Sequence, residues 1–153
     1  TLMAFLVADT LGIIRDELSK INYFSTVEIG EPKSPPADQY ASAYIWMDSV
    51  TTVQASLNGS IEVYLTTVRL MTGLFEEPIE LIETQTAEAY SKASEALFAN
   101  FSLDNKIRNI DAAGQYGASY GGTWGHLDLG GNLYRIVDIT LPLIVDDSAT
   151  FAP

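Results

Sequence analysis

The chain has no cysteine, a single histidine and only eight basic residues among 153. Each scarcity removes a class of function. Without cysteine there is no disulfide framework, no thiolate zinc site and no cysteine nucleophile. Eight Lys and Arg stand against 20 Asp and Glu, for a net charge of −12. That balance lacks the basic footprint needed to hold a nucleic-acid backbone. It equally opposes docking on an anionic membrane surface. It does not exclude a protein that lets nucleic acid slide past, because an acidic wall repels phosphate. No run approaches the roughly 18 apolar residues that cross a bilayer. Thr1–Val7 is apolar but carries neither a basic n-region nor a clear cleavage site. The expectation is a soluble protein, made in a cytoplasm and not exported by a signal peptide.

What is present fits one domain over residues 1–153, since 47 % of the residues are hydrophobic. The longest strand-like run is Leu133–Val145. Leu133, Val137, Ile139, Leu141 and Leu143 share one face, and Tyr134, Asp138, Thr140 and Pro142 share the other. This run is expected at the middle of a sheet over Leu133–Thr140. Because Pro142 cannot donate to a ladder, its last third is expected at an edge or bulge. From Ala4 to Ile21 the stripe Val7, Leu11, Ile14, Leu18 and Ile21 predicts an amphipathic helix, stopped at Asn22. Tyr23–Ile29 and Ala43–Val50 read as strands. Between them, Glu31–Asp38 carries three prolines and reads as an extended loop.

Asn58-Gly59 is a hairpin signal, with a loop of about eight to ten residues before the next strand, Ser60–Met71. In that strand Ile61, Val63 and Leu65 have the opposite parity to Val68 and Leu70, which a bulge near Thr66-Thr67 would reconcile. After Glu77-Pro78 comes one short turn, Ile79–Ile82, and then a main helix over Thr86–Asn100. Its buried stripe is Ala89, Ala93, Ala96, Leu97 and Phe101. Lys106–Ala113 reads as a short strand. Gly114–Gly131 holds seven glycines with Tyr116, Tyr120, Trp124 and His126 between them. It reads either as a long surface loop or as a kinked hairpin. The sum is an α+β fold: a mostly antiparallel sheet with about two helices packed on one face, plus a long β-hairpin.

Few residues point to chemistry. His126 is the sole imidazole base, and Ser119 and Asp128 are nearby in sequence, a spacing that proves nothing; no Gly-x-Ser-x-Gly elbow accompanies them. Asp104, Asp111, Asp128, Asp138, Asp146 and Asp147 are scattered and match no calcium-loop spacing. Asp146-Asp147 after a strand is a weak calcium candidate. The glycine-rich segment lacks the Lys-Ser/Thr of a P-loop. No catalytic, cofactor or metal residue is assigned, and a non-enzymatic protein is expected. The competing class is a small hydrolase or a calcium-stabilised binding module. The candidate subunit or partner contacts are Glu31, Pro32 and Lys33 in the proline-rich loop, Asn58 and Gly59 at the hairpin, and Tyr116, Tyr120 and Trp124 in the glycine-rich segment.

Several segments together resemble one family. They are Glu31-Pro-Lys33, Ala43-Tyr-Ile-Trp46, Val68-Arg-Leu-Met-Thr72 followed by Glu77-Pro78, and Phe101-Ser-Leu103. Ile107-Arg-Asn-Ile-Asp111 with Gly114, Leu133-Tyr-Arg135, Thr140-Leu-Pro-Leu-Ile-Val145 and the closing Ala152-Pro153 complete the set. In order and spacing the chain resembles, over about residues 5–153, the tail terminators and head-to-tail joining proteins of long-tailed actinobacterial phages. The resemblance implies a virion structural protein of the tail and neck, assembled in the host cytoplasm. It implies a homo-hexameric ring that caps the tail tube protein and docks to the head-completion or connector protein. DNA would pass through the channel without specific binding. Another neck or tail-tube component is the alternative within that class.

Overall fold

The computed structural model describes residues 7–32, 41–54, 59–74 and 79–146. Two helices and six strands follow in the order α1 (Val7–Lys20), β1 (Thr26–Ile29), β2 (Ser42–Gln54), β3 (Ser60–Leu74), α2 (Ile79–Ala99), β4 (Asn109–Ile110), β5 (Gly121–Leu129) and β6 (Asn132–Asp146). The strands form a single sheet, β1-β2-β3-β6-β4, with β5 also paired to β6. All pairings are antiparallel except β1 with β2. The sheet curls into a half-barrel, and the α+β class expected from the sequence holds.

β6 occupies the centre. β3 runs along one side of it from Ile61↔Asp146 to Leu74↔Tyr134. β5 lines the other side from Asn132 to Thr140, and β4 pairs at Leu143 and Ile144. The last third of β6 is therefore interior, not at an edge. Pro142 is tolerated for a local reason. Its carbonyl accepts from the Asp111 N–H and the Ile144 carbonyl from the Arg108 N–H, both on the β4 side. Groups of one strand residue point the same way, so the N–H that proline lacks would face the gap between β5 and β4.

The helix face of the sheet holds the main core. Ala43, Ile45, Val68, Leu70, Val137, Ile139, Leu141 and Leu143 pack there with Leu11, Ile14 and Leu18 of α1 and Ala89, Ala93, Ala96 and Leu97 of α2. The alanine stripe lets α2 sit close to the strands, and its small side chains avoid overpacking. Gly122 extends this close approach, since a Cβ there would lie 2.7 Å from the Tyr90 ring. α2 is continuous from Ile79, without the break expected after Ile82. Thr84 and Thr86 donate their hydroxyls to the carbonyls of Glu80 and Ile82, so their polar atoms are satisfied inside the helix. Phe101 lies beyond the helix end and is 42 % exposed, so it leaves the stripe and rests on Phe98 instead.

Three further expectations are corrected. β3 has no bulge at Thr66-Thr67; its register with β6 is unbroken from Ile61 to Met71. The irregularity opposite it lies in β2 at Asp48, between Met47↔Thr66 and Ser49↔Leu65. The change of parity is a change of buried face. Val68 and Leu70 enter the main core, whereas Ile61 and Val63 pack on the far face with Ile144, Val53, Leu65 and Tyr116. Next, β2 continues to Gln54 and β3 begins at Ser60, which leaves a connection of residues 55–59, shorter than expected. Last, the segment around 106–113 contributes only Asn109-Ile110 to the sheet. Asp111 ends it, because its carboxylate turns to accept backbone N–H bonds from Gly114, Gln115 and Tyr116.

The glycine-rich segment resolves as a hairpin. Leu129 pairs with Asn132, and Gly130 and Gly131 between them both have positive φ, 63° and 85°. That is the two-residue turn whose twist matches antiparallel strands, and it needs residues without a Cβ penalty.

Candidate functional site

The residues singled out in the sequence do not gather into one pocket. Glu31 and Pro32 follow β1, just after Gly30, whose N–H donates to the Ile45 carbonyl at 2.7 Å. Glu31 is exposed and Pro32 half-buried. Lys33 and Asn58 lie outside the described residues. Gly59 is half-buried where β3 begins.

The three aromatics part company. Tyr116 lies on the far face against the Ile61–Val63–Ile144 cluster. The Asp111 carboxylate fixes the loop that carries it there. Tyr120 joins the helix-side core, with its ring 4.7 Å from Phe98 and its hydroxyl 2.6 Å from that of Ser94. Burial pushes its phenol up to about 12, against a smaller opposing effect of the Ser94 hydrogen bond. Trp124 is 37 % exposed and lies across Tyr90, centroid to centroid 5.5 Å. Phe101, Phe98, Tyr120, Tyr90 and Trp124 thus form a chain of touching rings along the seam between α2 and β5.

The far face holds a polar constellation that sequence reading missed. Arg69 donates two hydrogen bonds to Asp138, from Nε to Oδ1 at 2.7 Å and from Nη2 to Oδ2 at 2.9 Å. Its guanidinium also sits 5.2 Å from the Trp46 ring centroid. A planar fork against a carboxylate, stacked on an indole, is a geometry that lysine does not reproduce. The Asp138 hydrogen bond raises the Arg69 pKa, opposed by desolvation and aided by the charges of Asp138 and Glu31. Around this pair lie Tyr44, Met71, Tyr134 and Ile136, all buried, with Leu127 and Leu129 of β5 beside them. Arg69 and Asp138 are 69 positions apart, and only the β3–β6 register joins them.

The remaining candidates for chemistry are placed as follows. His126 is exposed on β5, with its Nε2 3.3 Å from Nη1 of Arg135. Arg135 also pairs with Glu83 of α2 at 2.9 Å. Of the scattered carboxylates, Asp111 binds backbone and Asp138 binds Arg69. Among the described residues no group of three or more His, Asp or Glu could hold a metal ion. No helix among them is long and apolar enough to cross a membrane.

Beside the short strands β1 and β4, the sheet leaves two longer stretches of edge open among the described residues. β1 covers β2 only from Ser42 to Ile45, so Trp46–Gln54 has no strand on that side among the described residues. Among the described residues β5 pairs with β6 alone. Edges of this kind offer unpaired backbone donors and acceptors to another chain.

No protein-family model and no curated protein matches the sequence. Among solved structures, one similar chain is a sheath/tube terminator of an extracellular contractile injection system, PVC, in its extended state. The TM-score is 0.40 at 12 % identity, with 92 % of this chain and 56 % of that chain covered. The chain thus spans little more than half the length of that protein. At this level of likeness nothing about role follows.

Proposed function

We propose that this protein is a phage tail terminator, a ring-forming structural subunit that caps the tail tube and joins it to the head connector. The observation that carries the reading is where the family-like segments meet in space. Ala43–Trp46, Val68–Thr72, Leu133–Arg135 and Thr140–Val145 are scattered over a hundred residues. In the fold they lie on the adjacent strands β2, β3 and β6: Ala43–Ile45 stands opposite Leu70–Val68, and Val68–Met71 stands opposite Ile139–Ile136, the stretch of β6 between the other two segments. Two other pieces of the set, Asp111 and Gly114, are joined by a hydrogen bond of 3.1 Å. That the segments share the central strands of one sheet supports the reading.

Charge supports the same reading. Six copies at −12 each carry −72 formal charges. A ring of that sign repels the phosphate backbone and lets a genome pass without sticking. The role is non-enzymatic; the partners are the protein itself, the tail tube and the head-completion protein, within the virion neck.

The test is to add the purified protein to tail tubes that lack a terminator and image them in negative stain. Rings seated on one tube end, with tube growth arrested, are expected. Incorporation along the tube wall would identify a tube component instead. Tubes left bare at both ends would refute the terminator assignment.

A further inference from the structure

We propose that copies of this chain join edge to edge, with Gly121–Gly125 of β5 in one copy adding as a strand to Ser49–Gln54 of β2 in the next. This rests on the ring-forming role above and names the contact that closes the ring. The open edges carry few guards. Soluble proteins protect such edges with Lys, Pro, inward charges or bulges. Here the β2 edge has one guard, the bulge at Asp48. Beyond it, Ser49-Val-Thr-Thr-Val-Gln54 carries no charge and no proline, and its Val and Thr residues favour strands. On the far side of the sheet, Gly121-Gly-Thr-Trp-Gly125 carries none either. In a chain of net charge −12, these uncharged edges are where two copies approach without setting carboxylate against carboxylate.

The exposed apolar side chains agree with this pairing. Val50 is 51 % exposed and Trp124 37 %. Val50 lies opposite Tyr64 and Trp124 opposite Val137, so both stand on the helix face. Antiparallel addition that sets Trp124 beside Val50 also sets Thr123 beside Thr51 and Gly122 beside Thr52. The indole then covers the valine, and each exposed apolar group removes the other from water. The two edges lie on different sides of one sheet, so the contact is heterologous. That is the kind of contact that generates a ring when its rotation closes.

The absence of native cysteine makes the test clean. Strand neighbours bring Cα atoms within reach of a disulfide. Two double variants report the register: Val50→Cys with Trp124→Cys, and Thr51→Cys with Thr123→Cys. The second pair leaves the Trp124–Tyr90 contact intact, in case loss of the indole loosens the fold. Val50→Cys with Leu81→Cys is the control. Mild oxidation of each, followed by a non-reducing gel, is expected to give a ladder ending at six copies for both register pairs and none for the control. Native mass spectrometry of the same samples separates the failures. Intact rings without a ladder would overturn the edge pairing and leave the ring role standing. Absence of any oligomer would overturn both.

Discussion

The two halves of the central strands stabilise the molecule in different ways. Near α1 and α2, the strands β2, β3 and β6 bury their helix face, and Ile139 and Leu141 are fully enclosed. Toward Gln54, Ser60 and Asp146, Val50 is exposed on that same face, while Ile61, Val63 and Ile144 are buried on the far one. Both halves bury side chains on both faces, with Tyr44, Met71, Tyr134 and Ile136 on the far face of the first and Leu143 and Val145 on the helix face of the second, but in β2 the helix face goes from buried Ala43 and Ile45 to exposed Val50. The covered half has the character of an ordinary two-layer core. The other half carries an open edge on β2 with Val50 exposed beside it, built like an element that meets a neighbour.

Paired substitutions probe this contrast, and the largest effect is expected in the covered half. Ile139→Ala removes a side chain enclosed by sheet and helices and should cost about 4 kcal/mol in urea unfolding, whereas Ile61→Ala in the other half should cost about 2 kcal/mol. Equal losses would remove the distinction between the halves. Next is the far-face pair: Arg69→Ala leaves Asp138 without its fork and should cost about 1.5–3 kcal/mol. Arg69→Lys should recover only part of this, because an ammonium cannot make both bonds.

A smaller effect is expected at Asp111, where Asp111→Ala leaves three backbone N–H groups without their acceptor. The cost should be about 1–3 kcal/mol, with faster hydrogen exchange confined to residues 114–116. Unchanged exchange there would show that the carboxylate does not hold Tyr116 in place. The smallest effect depends on pH. Burial raises Tyr120 to about 12, and burial followed by the Glu88 charge raises Tyr23 to about 12. The unfolded phenols ionise near 10, so the unfolded state loses protons first. The contribution to stability is complete below pH 10 and is lost as pH rises from 10 toward 12. Tyr120→Phe should flatten that decline; an equally steep decline in the variant would contradict the assignment.

Much of the frame was legible because it obeys simple periods. The α1 stripe and the alanine spacing of α2 each report a single buried face; the alternation of β6 reports its helix face from Val137 to Leu143, though Tyr134, Ile136 and Ile144 are buried on the other and Leu133 is exposed. Legibility failed where one strand serves two faces. The parity switch between Leu65 and Val68 looks like a bulge until β6 is laid beside β3. It failed again where long-range pairing decides. Pro142 signals an edge locally, yet a gap between two partner strands accommodates it. Arg69, Asp138 and Trp46 come from three strands, and no spacing in the chain links them. Tyr120 and Trp124 share the hairpin segment, but a shift of strand position and the closeness of α2 at Gly122 send one ring inward and leave the other partly exposed.

The most direct test of the central claim is the mass of the native assembly. The ring-forming account predicts a closed species near six times 16.7 kDa at micromolar concentration, unchanged on further concentration. A monomer that persists at millimolar concentration, or an open series of ever larger assemblies, would contradict it.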